Sequence, residues 1–167
     1  MTKEEAKEFY QSYLGYSFHM GREEPAKYES FRRLGIGEDV FREWDEELLE
    51  QQFGELLNEP GRVWTHHENI IRIMNRGRCD TERYLERLLD GMQQMEDLGP
   101  DELTLVIENM AGRTESGRDG GAYLFRVHPE LQKRMREVMQ HIIAVRSAFP
   151  DMDGRAERAI RRYKTAE

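Results

Sequence analysis

The stretch PELQKRMREVMQHIIAVRSAFP, residues 129–150, decides the fold of this chain. Its apolar residues recur at three- and four-residue steps, which is the period of an amphipathic α-helix. These residues are Leu131, Met135, Val138, Met139, Ile142, Val145 and Phe149. Proline has no backbone N–H to donate, so Pro129 suits the first turn of this helix and Pro150 ends it. The stretch therefore predicts an α-helix over residues 130–149.

Prolines divide the rest of the sequence in the same way. Pro25, Pro60 and Pro100 also lie at breaks between amphipathic segments, and none lies inside one. The segments over 38–57 and 82–97 carry two further helical stripes that should centre the core. No run of about 18 apolar residues occurs, so we expect no membrane span. The pattern predicts an all-α fold, a compact bundle of about six or seven helices with short connections and one Gly-rich loop.

The length of 167 residues fits one domain. We expect residues 1–150 to form a single helical domain, with 151–167 as a short basic helix or tail packed on it or extending from it. Thr2-Lys3-Glu4-Glu5 matches a capping box and predicts that the first helix begins near Lys3. The run AYLFRV, residues 122–127, is strand-like, and without an obvious partner strand we expect it to form a short extended connector.

Charge is distributed unevenly along the chain. Residues 1–112 hold 13 Lys and Arg against 25 Asp and Glu, whereas residues 113–167 hold 12 against 8. The basic end either packs beside the acidic body or offers a docking surface for an acidic partner. The single cysteine, Cys79, permits neither an internal disulfide nor a cysteine-based metal site. Because the first ten residues, MTKEEAKEFY, lack an apolar signal core, we expect a cytoplasmic protein.

The glycine-rich stretch GRTESGRDGG, residues 112–121, is the one long irregular segment. It lacks the lysine of a phosphate-binding P-loop, and its acids Glu115 and Asp119 would repel phosphate. We therefore expect a mobile surface loop or a partner contact, with Arg113 and Arg118 as candidate binding residues.

The first third of the chain is rich in aromatic residues and offers a second candidate binding region. Tyr13, Tyr16, His19 and Arg22 would suit a groove or small polar pocket, because tyrosine combines an apolar body with a polar tip. The alternative is that these aromatic side chains fill a small core between short helices.

Four residues are candidate metal ligands: His67, Glu108, Glu137 and His141. Glu137 and His141 are four apart, so they lie on one face of the predicted helix. Convergence with His67 and Glu108 would create a metal or acid–base site. His66 precedes His67, but adjacent helical residues point about 100° apart, so both do not easily face one site. The ordinary alternative is a core histidine and an exposed Glu–His pair.

These features favour a non-enzymatic binding or protein-interaction module that needs no cofactor and binds a protein partner or a second copy of itself. The first alternative is a metal- or histidine/carboxylate-dependent enzyme, and the sequence does not decide between enzyme and binding protein. The second is nucleic-acid binding through the arginine-rich C-terminus, around Arg155, Arg158 and Arg162. We regard nucleic acid as the less favoured partner, because the acidic residues of 1–112 would repel a polyanion.

Overall fold

The computed structural model describes residues 1–12, 25–59 and 61–167, and these residues form an all-α fold. Nine α-helices and one 3-10 turn, Met95–Asp97, follow one another along the described chain. The helices are α1 Lys3–Ser12, α2 Pro25–Arg33, α3 Glu38–Glu55, α4 Val63–Asn75, α5 Thr81–Met92, α6 Pro100–Ala111, α7 Gly121–Leu124, α8 Pro129–Ser147 and α9 Arg155–Ala166. The predicted fold class is confirmed, although the helices outnumber the six or seven expected.

Proline and capping residues set the helix starts. Pro25, Pro100 and Pro129 are each the first residue of a helix, a position where the missing N–H breaks no intrahelical bond. At the start of α1 the Glu5 backbone N–H donates to Thr2 Oγ1 at 3.1 Å, and the Thr2 backbone N–H donates to Glu5 Oε2 at 2.8 Å. The predicted capping box is therefore confirmed.

The helix predicted over 82–97 divides into α5 and the 3-10 turn. Met92 ends α5 and Met95 opens the turn, yet both side chains are fully buried. Residues three apart lie on the same side of a 3-10 turn, so the apolar stripe continues through a change of backbone geometry. The stripe identifies the buried residues correctly, but it does not distinguish one long helix from a helix followed by a tight turn.

The expectation of an extended connector over 122–127 is wrong. The chain forms α7, Gly121–Leu124, and then turns. Ala122 and Phe125 are fully buried and Val127 is 78% exposed. Burying two residues three apart requires a helical turn, because in a strand they would point to opposite faces.

The buried apolar side chains form two clusters. The main cluster takes residues from α3 through α9. The small cluster joins α1, α2 and the first half of α3 through Ala6, Tyr10, Phe31, Ile36, Phe41 and Trp44. The ring centroids of Tyr10 and Phe41 are 4.7 Å apart, and those of Phe31 and Phe41 are 5.9 Å apart. Among the described aromatic residues, the core-filling interpretation is therefore confirmed for Tyr10 and Phe31.

A buried ion pair lies beside the small cluster. The Asp45 side chain is fully buried, and its Oδ1 accepts a hydrogen bond from Arg76 Nη1 at 2.8 Å. The Arg76 guanidinium also lies over the Tyr10 ring, 5.1 Å from its centroid. The pair thus connects the middle of α3 with the end of α4.

A second buried cation joins α6, α8 and the start of α9. Arg146 Nε donates to Thr104 Oγ1 at 2.7 Å, and Arg146 Nη1 donates to the Phe149 carbonyl at 3.2 Å. Asp151, whose Oδ1 is 3.7 Å from Arg146 Nη2, accepts from the first backbone N–H groups of α9. These hydrogen bonds to the backbone of Glu157 and Ala156 hold the pKa of Asp151 below its ordinary value.

The last helix packs chiefly on α6. Ala159, Tyr163 and Ala166 belong to the main cluster, and the two alanines allow a close approach between the helices. The boundary proposed at residue 150 stays a prediction, but α9 contributes to the core. Among the helices of the described residues, none has the length and apolar character needed to cross a membrane.

Candidate functional site

The candidate residues of the aromatic first third, Tyr13, Tyr16, His19 and Arg22, lie outside the described residues. Their role in a groove or polar pocket stays a prediction. The other candidates are all described: His67, Glu108, Arg113, Arg118, Glu137 and His141.

The glycine-rich loop is a folded turn anchored by one carboxylate. Asp119 Oδ2 accepts from the Arg113 backbone N–H at 3.1 Å, and Oδ1 accepts from the Thr114 hydroxyl at 3.0 Å. Burial alone would raise the pKa of Asp119, but the hydrogen bonds from Thr114 and Arg113 outweigh it and hold the pKa below its ordinary value. Gly120 passes so close to α6 that a Cβ there would lie 2.6 Å from the Met110 carbonyl oxygen. The loop therefore has a defined shape set by internal contacts.

The two candidate arginines of this loop differ in their partners. The Arg113 side chain forms an ion pair with Glu68 of α4. Arg118 is exposed and has no carboxylate of a described residue within 4.0 Å. Only Arg118 therefore presents an uncompensated charge to a partner.

His67 lies in the core and is held neutral. Its side chain is fully buried on α4, with Nδ1 3.2 Å from Asn109 Nδ2 of α6. Asn109 Nδ2 also donates to the Trp64 carbonyl at 3.1 Å. Burial lowers the pKa of His67 to about 3. This arrangement matches the alternative of a core histidine bonded to a neighbour.

The other three candidate ligands lie elsewhere. Glu108 accepts from Arg155 Nε at 2.6 Å, so its charge is paired across α6 and α9. Glu137 and His141 line one open groove of about 320 Å³ on α8, where His141 Nε2 is 3.1 Å from Glu96 Oε2. Glu137 and His141 therefore share one groove. Among the described residues, Glu108 and His67 do not join them in one group of possible ligands.

A different group assembles from residues that were not among the predicted ligands. Glu55, Glu59 and His66 place one possible ligand atom each within 4.8 Å of one another, and no other described residues form such a group of three. The sequence signal was the pair Glu55 and Glu59, four apart at the end of a helix, followed by a histidine in the next helix. That signal is weak, because the loop geometry that folds the two helices together is not visible in the spacing.

Unpaired cations are concentrated at the C-terminal end of the fold. Most described Lys and Arg side chains have a carboxylate within 4.0 Å. Apart from Lys3, the described ones that lack such a partner all fall between residues 118 and 164, and all are exposed: Arg118, Arg126, Lys133, Arg136, Arg158, Arg162 and Lys164. The positive charges of these side chains therefore form no ion pair within the described part of the chain.

Several of these cations surround the last turn of α9. Arg126 Nη2 donates to the Ala166 carbonyl at 3.2 Å, and Arg162 Nη1 donates to the Gly112 carbonyl at 3.2 Å. A Cβ at Gly117 would lie 3.1 Å from Ala166 Cβ, so the chain next to Arg118 touches the same turn. Arg126 and Arg162 thus donate hydrogen bonds to carbonyl groups at the C-terminal ends of α9 and α6. Their positive charges interact favourably with the negative ends of these helix dipoles and are kept.

The charge of Arg136 on α8 acts on Tyr163 in this turn. Burial raises the pKa of the Tyr163 phenol above its ordinary value, Glu167 adds to the rise, and the charge of Arg136 opposes it. We use the name basic cluster for the exposed cations Arg118, Arg126, Arg136, Arg162 and Lys164, which belong to the loop, the α7–α8 connection, α8 and α9.

Comparison of the chain with protein-family models, with curated proteins and with solved structures gives no match, so the function must be inferred from these residues alone.

Proposed function

We propose that this protein is a non-enzymatic protein-interaction module whose basic cluster binds an acidic segment of a partner. The observation that supports the proposal is the concentration of exposed, unpaired cations around the last turn of α9. Elsewhere in the described residues, nearby carboxylates neutralise most Lys and Arg side chains. A surface whose positive charges lack a nearby carboxylate attracts an acidic partner and steers its approach.

An exposed apolar side chain beside the cluster favours a protein partner over nucleic acid. Val127 is 78% exposed and follows Arg126, whose guanidinium lies over the Tyr123 ring, 5.0 Å from its centroid. Protein interfaces combine apolar and aromatic contacts with arginine, whereas phosphate binding depends on charge. The acidic residues of 1–112 also oppose the binding of a long polyanion. The same residues allow a second copy of the chain to supply the acidic segment.

Fluorescence anisotropy with a labelled glutamate-rich peptide tests the proposal. The test variant combines Arg118→Gln, Arg136→Gln and Lys164→Gln, which removes three charges and leaves the two carbonyl-bonded arginines in place. Exposed ion pairs are worth about 0.5 kcal/mol each, so three losses should weaken peptide binding by about tenfold. Binding to the wild-type protein should also weaken as salt is added, because exposed charges are screened.

The matched control combines Arg32→Gln, Arg33→Gln and Arg42→Gln. These exposed arginines lie on α2 and α3, and each has a glutamate one turn away, so the control makes the same change in net charge away from the basic cluster. The control should bind the peptide as the wild-type protein does. Equal loss in both variants would show that only net charge matters and would overturn the proposal.

Two further measurements distinguish the alternatives. A single-stranded oligonucleotide of similar length should bind more weakly than the peptide, and the opposite order would favour nucleic-acid binding. Light scattering would identify a second copy as the partner if a salt-sensitive dimer disappears in the test variant. Truncation after Pro150 would not test binding by the arginine-rich C-terminus alone, because it also removes Ala159 and Tyr163 from the main cluster.

A further inference from the structure

A buried histidine lies against two carboxylates where α3 turns into α4. Glu55 is the last residue of α3, Glu59 lies in the connection, and His66 is in the first turns of α4. His66 is 3% exposed, whereas the Glu55 and Glu59 side chains are each 37% exposed and reach solvent. Glu59 Oε2 lies 3.4 Å from His66 Nε2, and Glu55 Oε2 lies 3.6 Å from Nδ1.

The hydrogen bonds behind His66 fix which ring nitrogen carries a proton. Gln52 Oε1 accepts from Asn69 Nδ2 at 3.2 Å, and it lies 2.9 Å from His66 Nδ1. The amide oxygen of Gln52 has no hydrogen and can only accept, so Nδ1 carries the hydrogen in the neutral ring. Nε2 then carries the lone pair, and Glu59 Oε2 lies 3.4 Å from it.

That lone pair has no hydrogen-bond partner. His66 Nε2 is fully buried and makes no hydrogen bond, although Glu59 Oε2 is only 3.4 Å away. Two electron-rich atoms held this close repel each other unless a cation lies between them. A buried acceptor without a hydrogen bond beside the Glu59 carboxylate is therefore a feature that a bound cation would explain.

We propose that Glu55, Glu59 and His66 form a binding site for Zn²⁺. A nitrogen and an oxygen bound to tetrahedral zinc at about 2.0–2.1 Å lie about 3.4 Å apart, which is the observed separation of His66 Nε2 and Glu59 Oε2. Rotation of the half-exposed Glu55 carboxylate supplies the third ligand, and water takes the fourth position. Gln52 then acts as the hydrogen-bonding partner that orients a ligating histidine.

The site is separate from the basic cluster, so it goes beyond the proposed interaction function. Its ligands belong to α3, α4 and the connection between them, and zinc would tie the ends of these two helices together. Arg62 Nη1 is 3.4 Å from Glu59 Oε2, but its side chain is 65% exposed and free to swing away from an incoming cation.

Isothermal titration of the full-length protein with Zn²⁺, after removal of metal by chelator and dialysis, tests the site. The wild-type protein should bind one equivalent. Glu59→Gln changes a half-exposed ligand with little risk to folding, and His66→Gln removes the nitrogen ligand. Each should weaken Zn²⁺ binding at least tenfold. Arg62→Gln should strengthen binding, because it removes a competing positive charge from Glu59.

The matched control is His141→Gln, which removes the exposed histidine paired with Glu96 and should leave Zn²⁺ affinity unchanged. Co²⁺ added in place of zinc should give the intense visible absorption of tetrahedral coordination in the wild-type protein and not in Glu59→Gln. Circular dichroism confirms that each variant is folded. Absence of Zn²⁺ binding by the wild-type protein, or equal affinity in wild type and Glu59→Gln, would show that His66 and the carboxylates form a plain ion pair.

Discussion

The buried pair of Asp45 and Arg76 allows a quantitative prediction. Asp45 is fully buried, and Arg76 Nη1 lies 2.8 Å from its Oδ1. Replacing Arg76 with methionine keeps much of the side-chain volume but leaves a buried carboxylate without its cation. Loss of one partner of a buried ion pair costs about 3–5 kcal/mol of unfolding free energy, because the remaining charge stays buried without its counter-ion. We expect Arg76→Met to lose stability in this range at neutral pH.

The cost should depend on pH in a defined direction. Burial raises the pKa of Asp45 above its ordinary value, and Arg76 acts to lower it. Without Arg76 the pKa rises further, so the folded variant holds a proton at pH values where the unfolded chain has lost it. Stability is therefore greatest below the unfolded pKa and falls as pH rises through the folded pKa, by up to about 1.4 kcal/mol per pH unit.

Urea unfolding followed by circular dichroism, at about pH 5 and about pH 8, measures both effects. Arg76→Met should be less destabilised at the lower pH, and adding Asp45→Asn should remove this dependence. Arg83→Met, which breaks an exposed ion pair with Glu50, is the control and should cost under about 1 kcal/mol. A cost for Arg76→Met as small as that of the control, or one that grows toward low pH, would refute the reasoning.

Two further predictions concern close packing and a buried cation. Gly120→Ala should destabilise the fold by about 1–3 kcal/mol in thermal unfolding, because the new Cβ would lie 2.5 Å from Gly112 N. Gly54→Ala, inside α3 with nothing within 4 Å of the new Cβ, should instead stabilise the fold by about 0.5–1 kcal/mol. A change in stability of the same sign in both glycine variants would contradict this account. Arg146→Met should lower the free energy of unfolding by about 1–3 kcal/mol, because its hydrogen bonds are lost. Arg136→Met on the same helix is the control and should change it by no more than about 0.5 kcal/mol. Equal melting temperatures of the two variants would argue against a structural role for Arg146.

The helices were predictable because their signals are local. Pro129 and the apolar residues from Leu131 onward lie within a few residues of one another, and α8 begins where the proline indicates. The capping box of α1 also forms between residues three apart. Such patterns depend on helical period and on terminal hydrogen bonds, which the chain specifies without distant contacts.

The extended connector was mispredicted because a distant contact decides that segment. Ala122 and Phe125 are buried in the main cluster, and the gain from burying both selects a helical turn over a strand-like run. Propensity is a weak preference that packing overrides when the segment is short.

The candidate sites were only partly predictable for the same reason. Arg118 was identified, but its neighbours at the last turn of α9 come from separate elements. The role of His66 depends on Gln52, which lies 14 positions before His66 in the sequence. Gln52 in turn accepts a hydrogen bond from Asn69, which lies 17 positions after it. No spacing rule in the sequence brings these atoms together, because their approach follows from the packing of α3 against α4.

The division of the buried side chains into two clusters determines where amide protons should first exchange with solvent. The small cluster holds α1 and α2 with few buried residues, so a local opening there exposes less apolar surface than global unfolding does. Amides of α1 should exchange through such local openings, whereas those of α6 should exchange only through global unfolding. Because α3 supplies Phe41 to one cluster and Leu49 to the other, the transition between the two exchange regimes should lie within this single helix.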